Sequence, residues 1–282
     1  MSQSNQPIHA SDYSYGATLL KVSGVSKAYD QNLILRDVEL EIKDLLRPGQ
    51  TTGQVVGLLG PSGMGKTTLF RLLAGLEAPD TGTVLVWPEA KPVQRGMMGV
   101  VFQQYPLFAH RTVLGNLITA GKQAGLSGAE AKAKATELLT TFDLSDRAKY
   151  YPAQLSGGQR QRVAIAQQFI CSHHYLLMDE PFSGLDPLAV SRVGRMIQEV
   201  ANLHEFNTIV IVTHDIEAAL EVADTLWLLG RDRDAQGQII PGARIQATYN
   251  LIERGLTWRE DIRNSPEFMA LLREIYGVFP NL

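Results

Sequence analysis

From residue 19 onward, short apolar and β-branched runs are set between Gly, Pro and Asp: residues 19–25, 38–42, 55–59, 84–87 and 99–102, then 175–178 and 209–213. Runs of this kind predict strands buried on both faces of a sheet. Between about Gln104 and Tyr151 the period turns helical. Residues 129–142 predict an amphipathic helix with Lys132, Lys134 and Glu137 outward. Residues 159–170 and 187–204 predict two more. Helices set between strands of an α/β core predict an inserted helical subdomain, at about residues 104–165.

The ends of the chain read differently. Residues 1–17, rich in Ser, Gln, Asn and Tyr, predict a loose tail ahead of a main domain over 18–230. Residues 231–282 read as a C-terminal extension. It starts with Arg231-Asp232-Arg233-Asp234, then Gly237 and Pro241-Gly242, a hairpin or loop. Ser265-Pro266-Glu267 opens a last helix, with an N-cap, a proline at the first position and an acid in the first turn. Its stripe of Phe268, Leu271, Leu272, Ile275 and Tyr276 either packs on the body of the chain or serves a dimer or regulatory contact.

Composition narrows the function classes. The 282 residues are enough to bury a sizeable core without cross-links. With 26 Lys+Arg against 29 Asp+Glu the net charge is −3, so no overall positive field draws the chain to nucleic acid or anionic lipid. A single cysteine, Cys171, forms no internal disulfide and suits a reducing compartment, where a small buried apolar role is expected. No apolar run reaches the ~18–20 residues of a spanning helix, and the first 16 residues lack the pattern of a signal peptide. Work at a membrane must then go through a partner.

The chemistry begins at Gly60-Pro61-Ser62-Gly63-Met64-Gly65-Lys66-Thr67, which follows a predicted strand and opens a helix at Thr68. This is the P-loop pattern in the context it requires. Its glycines let backbone N–H groups face a phosphate at a helix N-terminus. Lys66 supplies a charge for the β- and γ-phosphates, and Thr67 a hydroxyl for Mg2+. Later, an apolar strand ends in Asp179-Glu180. The first acid can hold Mg2+ and the second can polarise an attacking water; standing alone, the pair reads equally as an N-cap. Leu155-Ser156-Gly157-Gly158-Gln159 precedes another helix, making either a capped helix start or a second phosphate cradle. One nucleotide does not need two cradles, so the second would serve a neighbour's.

The order P-loop, Gln103, LSGGQ, Asp179-Glu180, Ser183-Gly184-Leu185-Asp186, His214 resembles the ATP-binding subunits of ABC transporters, from about Leu19 to Leu229. The resemblance implies an α/β P-loop NTPase core of ABC ATPase type with a helical and an antiparallel β subdomain. It gives roles residue by residue. Tyr29 would stack on adenine, its alternative being an ordinary strand-end tyrosine. Residues Gly60, Pro61, Ser62, Gly63, Gly65, Lys66, Thr67 and Thr68 would hold the phosphates. Thr67, Gln103 and Asp179 would attend Mg2+. Glu180 would be the general base, Gln103 would sense Mg2+ and water, and His214 would contact the γ-phosphate. Ser156, Gly157, Gly158 and Gln159 would reach the nucleotide of a second copy, with Asp186 linking the two sites. Tyr105-Pro106-Leu107-Phe108 would receive a membrane subunit, against the alternative of local packing. His173 and His174 read as loop or solvent histidines rather than a metal pair.

Two departures stand out. Residues 45–53 form a longer connection than the usual Pro-Gly turn, and Gln167 stands where an arginine is frequent. The residues after Leu229 are too few for the family's C-terminal regulatory barrels, which points away from a regulated sugar importer. The expectation is therefore an ATPase using ATP and Mg2+, working as a head-to-tail homodimer on the cytoplasmic face of the inner membrane. It would serve integral membrane permease subunits and a solute-binding protein, without nucleic acid. Importers of small polar solutes, of the nitrate, sulfonate, taurine and amino-acid group, are the nearest match. The alternatives are an exporter subunit, a soluble cluster-assembly ATPase or, remotely, a P-loop kinase or GTPase.

Overall fold

Six buried residues in a row make β3 (Gln54–Leu59), and six more make β8 (Thr208–Thr213). They pair in parallel from Gln54–Thr208 to Leu59–Thr213, and every residue of both is buried because both faces of the pair are covered. In the computed structural model, which describes residues 13–171, 174–257 and 261–282, these two strands sit inside a ten-stranded mixed sheet. Its spatial order is β5 (Lys91–Pro92), β4 (Thr81–Val86), β1 (Ser14–Tyr29), β2 (Asn32–Leu46), β10 (Ile239–Asn250), β9 (Thr225–Arg233), β3, β8, β7 (Tyr175–Asp179) and β6 (Gly99–Val101). The half from β9 to β6 is parallel, whereas β1 is antiparallel to β2 and β4.

The sheet divides two hydrophobic cores by the two-residue alternation of its strands. On one side Val55, Leu59, Leu176, Met178, Ile209 and Ile211 meet the helices α2 (Val113–Gln123), α3 (Gly128–Thr141), α4 (Gly157–Phe169), α5 (Pro187–Ala201), α6 (Ile216–Val222) and α7 (Pro266–Val278). On the other, Val56, Leu58, Leu177, Val210 and Val212 meet α1 (Lys66–Leu73) and the inner faces of β1, β2 and β4.

Several expectations need correcting. The strand β1 starts at Ser14, so residues 14–17 are not tail. Ser14 pairs with Leu46, and Asn250 donates to the Tyr13 and Tyr15 hydroxyls. Residues 1–12 lie outside the described residues. Burial on both faces holds for β3, β8 and most of β7, but not for β2: Val38, Leu40 and Ile42 are buried while Glu39 and Glu41 face out. A boundary at residue 230 falls inside β9, whose partner β10 also bridges β2 through Ala243 and Leu35. The start of the supposed extension is thus part of the sheet. The long connection at 45–53 is partly strand, β2 running on to Leu46 before a turn closed by Gln50 N–H on the Arg47 carbonyl. The helix α7 packs on its own chain through Phe268, Leu271, Leu272 and Ile275, whereas Tyr276 of the same stripe is 54% exposed.

Candidate active site

The P-loop turns from β3 into α1 through glycines in left-handed backbone, φ +79° at Gly63 and +89° at Gly65, which other residues adopt only with strain. At Gly65 a side chain would also meet Ile34 at 2.8 Å. Lys66 is 8% exposed, and its ammonium donates to the carbonyls of Gly60 at 2.6 Å and Pro61 at 3.1 Å. Burial lowers its pKa, opposed by the charges of Glu180 and Asp179, which places both acids near the loop. Thr67 is exposed and Thr68 buried.

Asp179 ends β7, beside Val212 of β8. Burial, then the charge of Glu180, raises its pKa, while Lys66 and Arg71 pull it down. Such a carboxylate favours a cation. Glu180 has φ +49° and is held from three directions. Its N–H donates to the Val212 carbonyl at 2.8 Å, its Oε2 accepts from the Thr213 hydroxyl at 2.9 Å, and its Oε1 lies 2.8 Å from His214 Nδ1. Gln103 is exposed just past β6 and donates through Nε2 to Ser183 Oγ at 3.0 Å. P-loop, Asp179, Glu180, Gln103 and His214 thus share the C-terminal edge of β3, β8, β7 and β6.

The other singled-out residues lie apart. Tyr29 ends β1, its hydroxyl donating to Glu77 and its ring 5.7 Å from the Lys27 ammonium. Ser156 caps α4 reciprocally: its hydroxyl accepts from Gln159 N–H at 3.3 Å, and Gln159 Oε1 accepts from Ser156 N–H at 3.0 Å. Around Gly157 and Gly158 there is open space. Ser156, Gly158 and Gln159 line a groove of about 510 Å3 with Leu185 and Ala189 of the α5 side. Asp186 caps α5, accepting from Leu188 and Ala189 N–H at 3.0 Å each. Tyr105 and Leu107 pack on the helical core, as the local-packing alternative has it, while Phe102 and Phe108 stay exposed.

His174 stacks on His204 with centroids 4.1 Å apart and its Nδ1 lies 3.1 Å from Asn207 Oδ1; His173 lies outside the described residues. Cys171 is half-buried, and its thiol meets the Ala120 carbonyl. Gln167 Oε1, at the position where the resembled family often has an arginine, is buried without a hydrogen-bond partner among the described residues. Sequence reasoning missed Thr213, for which the Thr-His pair ending an apolar strand was a usable signal. Ser183 was seen as part of the Ser183-Gly184-Leu185-Asp186 motif, but its contact with Gln103 was not foreseen.

Residues 49–183 match the ABC transporter family. A sulfate/thiosulfate import ATP-binding protein, CysA, of Mesorhizobium japonicum is 42% identical over 224 residues, covering 77% of this chain and 62% of that protein. CysA 2 of Rhizobium meliloti is 40% identical over 219 residues, covering 75% and 57%. The chain thus spans about three-fifths of the length of these curated relatives. Among solved structures, cbiO1 of Clostridium perfringens, part of the ABC transporter complex cbiONQ, superposes with a TM-score of 0.71 at 24% identity, covering 94% of this chain and 97% of that one. The ATP-binding cassette MJ0796, a dimer in a post-hydrolysis state with ADP and Pi, gives 0.64 at 26%, covering 83% and 99%. Motif order, strand topology and matched segment agree: the chain has the ABC ATPase fold, that of the ATPase subunits of ABC transporters.

Proposed function

We propose that this chain binds ATP and Mg2+ at the P-loop, hydrolyses the ATP, and thereby powers import of a small oxyanion through partner membrane subunits. The observation that carries the reading is the Glu180 carboxylate, fixed by Thr213 and His214 beside Asp179 and within the field of Lys66. Glu180 takes the proton of the water that attacks the γ-phosphate. Lys66 leaves the Gly60 and Pro61 carbonyls for phosphate oxygens, and Gly60, Pro61, Ser62, Gly63, Gly65 and Thr68 shape the loop around them. His214 keeps Nε2 as its second ring contact for the γ-phosphate.

The residues fit Mg2+: Thr67 Oγ1, the Gln103 side-chain oxygen and the Asp179 carboxylate form the hard, oxygen-only set this ion takes, with few protein ligands and the phosphates completing it. When bound, it neutralises charge on the phosphates. Tyr29 offers its ring to adenine.

Ser156, Gly157, Gly158 and Gln159 complete the site of a second copy, with Asp186 between the two sites, in a head-to-tail homodimer. Their outward position, with open space around Gly157 and Gly158, supports this. Among the described residues no helix is long and apolar enough to cross a membrane. The reading assigns the permease to partner subunits, with this chain peripheral on the cytoplasmic side. A solute-binding protein completes an importer. Within the nitrate, sulfonate, taurine and amino-acid group that the sequence resembles, the relatives named for sulfate/thiosulfate favour the oxyanion members over the amino acids.

Glu180→Gln tests the chemistry. ATP binding should persist while turnover falls ~10²–10⁴-fold, the loss expected for a general base; wild-type turnover would remove Glu180 from that role. Affinity purification from native membranes in mild detergent tests the transport half. A polytopic membrane protein should copurify, and only soluble partners in an ATP-hydrolysing preparation would favour the cluster-assembly alternative.

A further inference from the structure

The residue after Glu180 is anchored from the helical side of the molecule. The Pro181 carbonyl accepts two hydrogen bonds: from the Tyr105 hydroxyl at 3.3 Å and from Gln161 Nε2 at 3.2 Å. Both acceptor positions of that oxygen are used. The donors are 76 and 20 residues away in sequence, and they come from the segment after Gln103 and from the first turns of α4. Gln161 is 1% exposed, an unusual depth for a glutamine. Burial pushes the Tyr105 phenol up to about 12, so it remains a donor throughout the neutral range.

The anchored peptide follows a strained residue. Glu180 has φ +49° and precedes a proline, where extended backbone is the norm. A left-handed non-glycine residue persists only where its surroundings over-determine it. On the sheet side Glu180 is tied by its N–H to Val212, and its carbonyl accepts from Ser183 N–H at 3.2 Å. Tyr105 and Gln161 supply the opposing hold.

We propose that Tyr105 and Gln161 are positioning residues for hydrolysis: by seating the Pro181 carbonyl they fix the Glu180 backbone, and with it the direction in which its carboxylate meets water. The proposal rests on Glu180 acting as the general base. Both act through the Pro181 carbonyl. Because one donor belongs to the Gln103 segment and the other to the LSGGQ helix, a shift of either element reaches the carboxylate through one carbonyl.

The test compares Tyr105→Phe, Gln161→Met and the double variant of the full chain in steady-state ATP hydrolysis, with nucleotide affinity by a fluorescent ATP analogue. Each single variant should lower kcat about three- to tenfold, the rate equivalent of one ordinary hydrogen bond, with KM for ATP changed by less than about twofold. The double variant leaves a buried carbonyl without a donor and should lose more than the product of the singles. In the Glu180→Gln background, Tyr105→Phe should have no further effect on the residual rate. Unchanged kcat in Tyr105→Phe and in the double variant overturns the proposal. So does a loss carried by KM, or one that persists in full in the Glu180→Gln background. Tyr105→Phe removes one hydroxyl and decides the matter alone if Gln161→Met does not fold. Wild-type turnover by Glu180→Gln is a separate outcome, which removes the general base itself.

Discussion

Asp179 and Glu180 are neighbours in sequence with opposite surroundings. Glu180 has a hydroxyl and an imidazole on its carboxylate, whereas Asp179 is left with burial and a like charge that raise its pKa. For an acid whose folded pKa lies above the unfolded value of ~3.9, the folded chain binds more protons in that window, so stability falls as pH rises through it. Asp179→Asn removes this penalty. Its thermal midpoint without nucleotide should exceed wild type by about 1–3 °C at pH 7 and converge with it toward pH 4. Added Mg-ATP should then stabilise the wild type but not the variant, read by scanning fluorimetry. Thr213→Val leaves the strand intact and should lower kcat by about three- to tenfold, one hydrogen bond's worth, without changing ATP affinity. Asp179, Glu180 and Lys66 were legible because a P-loop and a strand-end acid pair are local patterns. The Pro181 carbonyl was not, since its two donors lie 76 and 20 residues away in sequence, and Thr213 was marked only by standing before His214 at the strand end.

Helix starts carry much of the local order. Ser127, Ser156, Asp186 and Ser265 each accept backbone N–H groups at an N-cap, and in all four cases the sequence announces this with Gly or Pro directly following. The helix α7 is the clearest case: its cap and its five-residue apolar stripe are plain in sequence, and of that stripe all but Tyr276 pack on the chain itself. Phe268, 1% exposed, should cost about 3–5 kcal/mol when changed to Ala, measured by urea unfolding. A surface use of α7 without packing would make the loss negligible. The strand β10 was harder to read. Pro241 and Gly242 interrupt it, Gly242 at φ +85°, and its pairing with β9 shifts register between Ile239 and Ala243. A strand so interrupted and half-exposed has neither continuous apolar character nor clean alternation, and only its partners β9 and β2 define it.

At the scale of the molecule, the outward LSGGQ segment predicts an association that nucleotide controls. Ser156→Arg places a bulky cation where the partner's nucleotide would sit. The monomer should still bind ATP, but ATP-dependent dimers should vanish from size-exclusion chromatography; dimers of that variant would rule out the trans cradle. The sheet sets the site's dimensions. The strand β8 separates β3 from β7, so at ~4.8 Å per strand the P-loop and the Asp179-Glu180 pair stand ~10 Å apart, with Thr213 and His214 between them. That spacing is built from strand pairing and owes nothing to α2 or α3, which contact each other and α4 on one side of the sheet. The chain is therefore modular. The α2–α3 block could change in sequence or length while the distance between phosphate cradle and base stays as the strands set it.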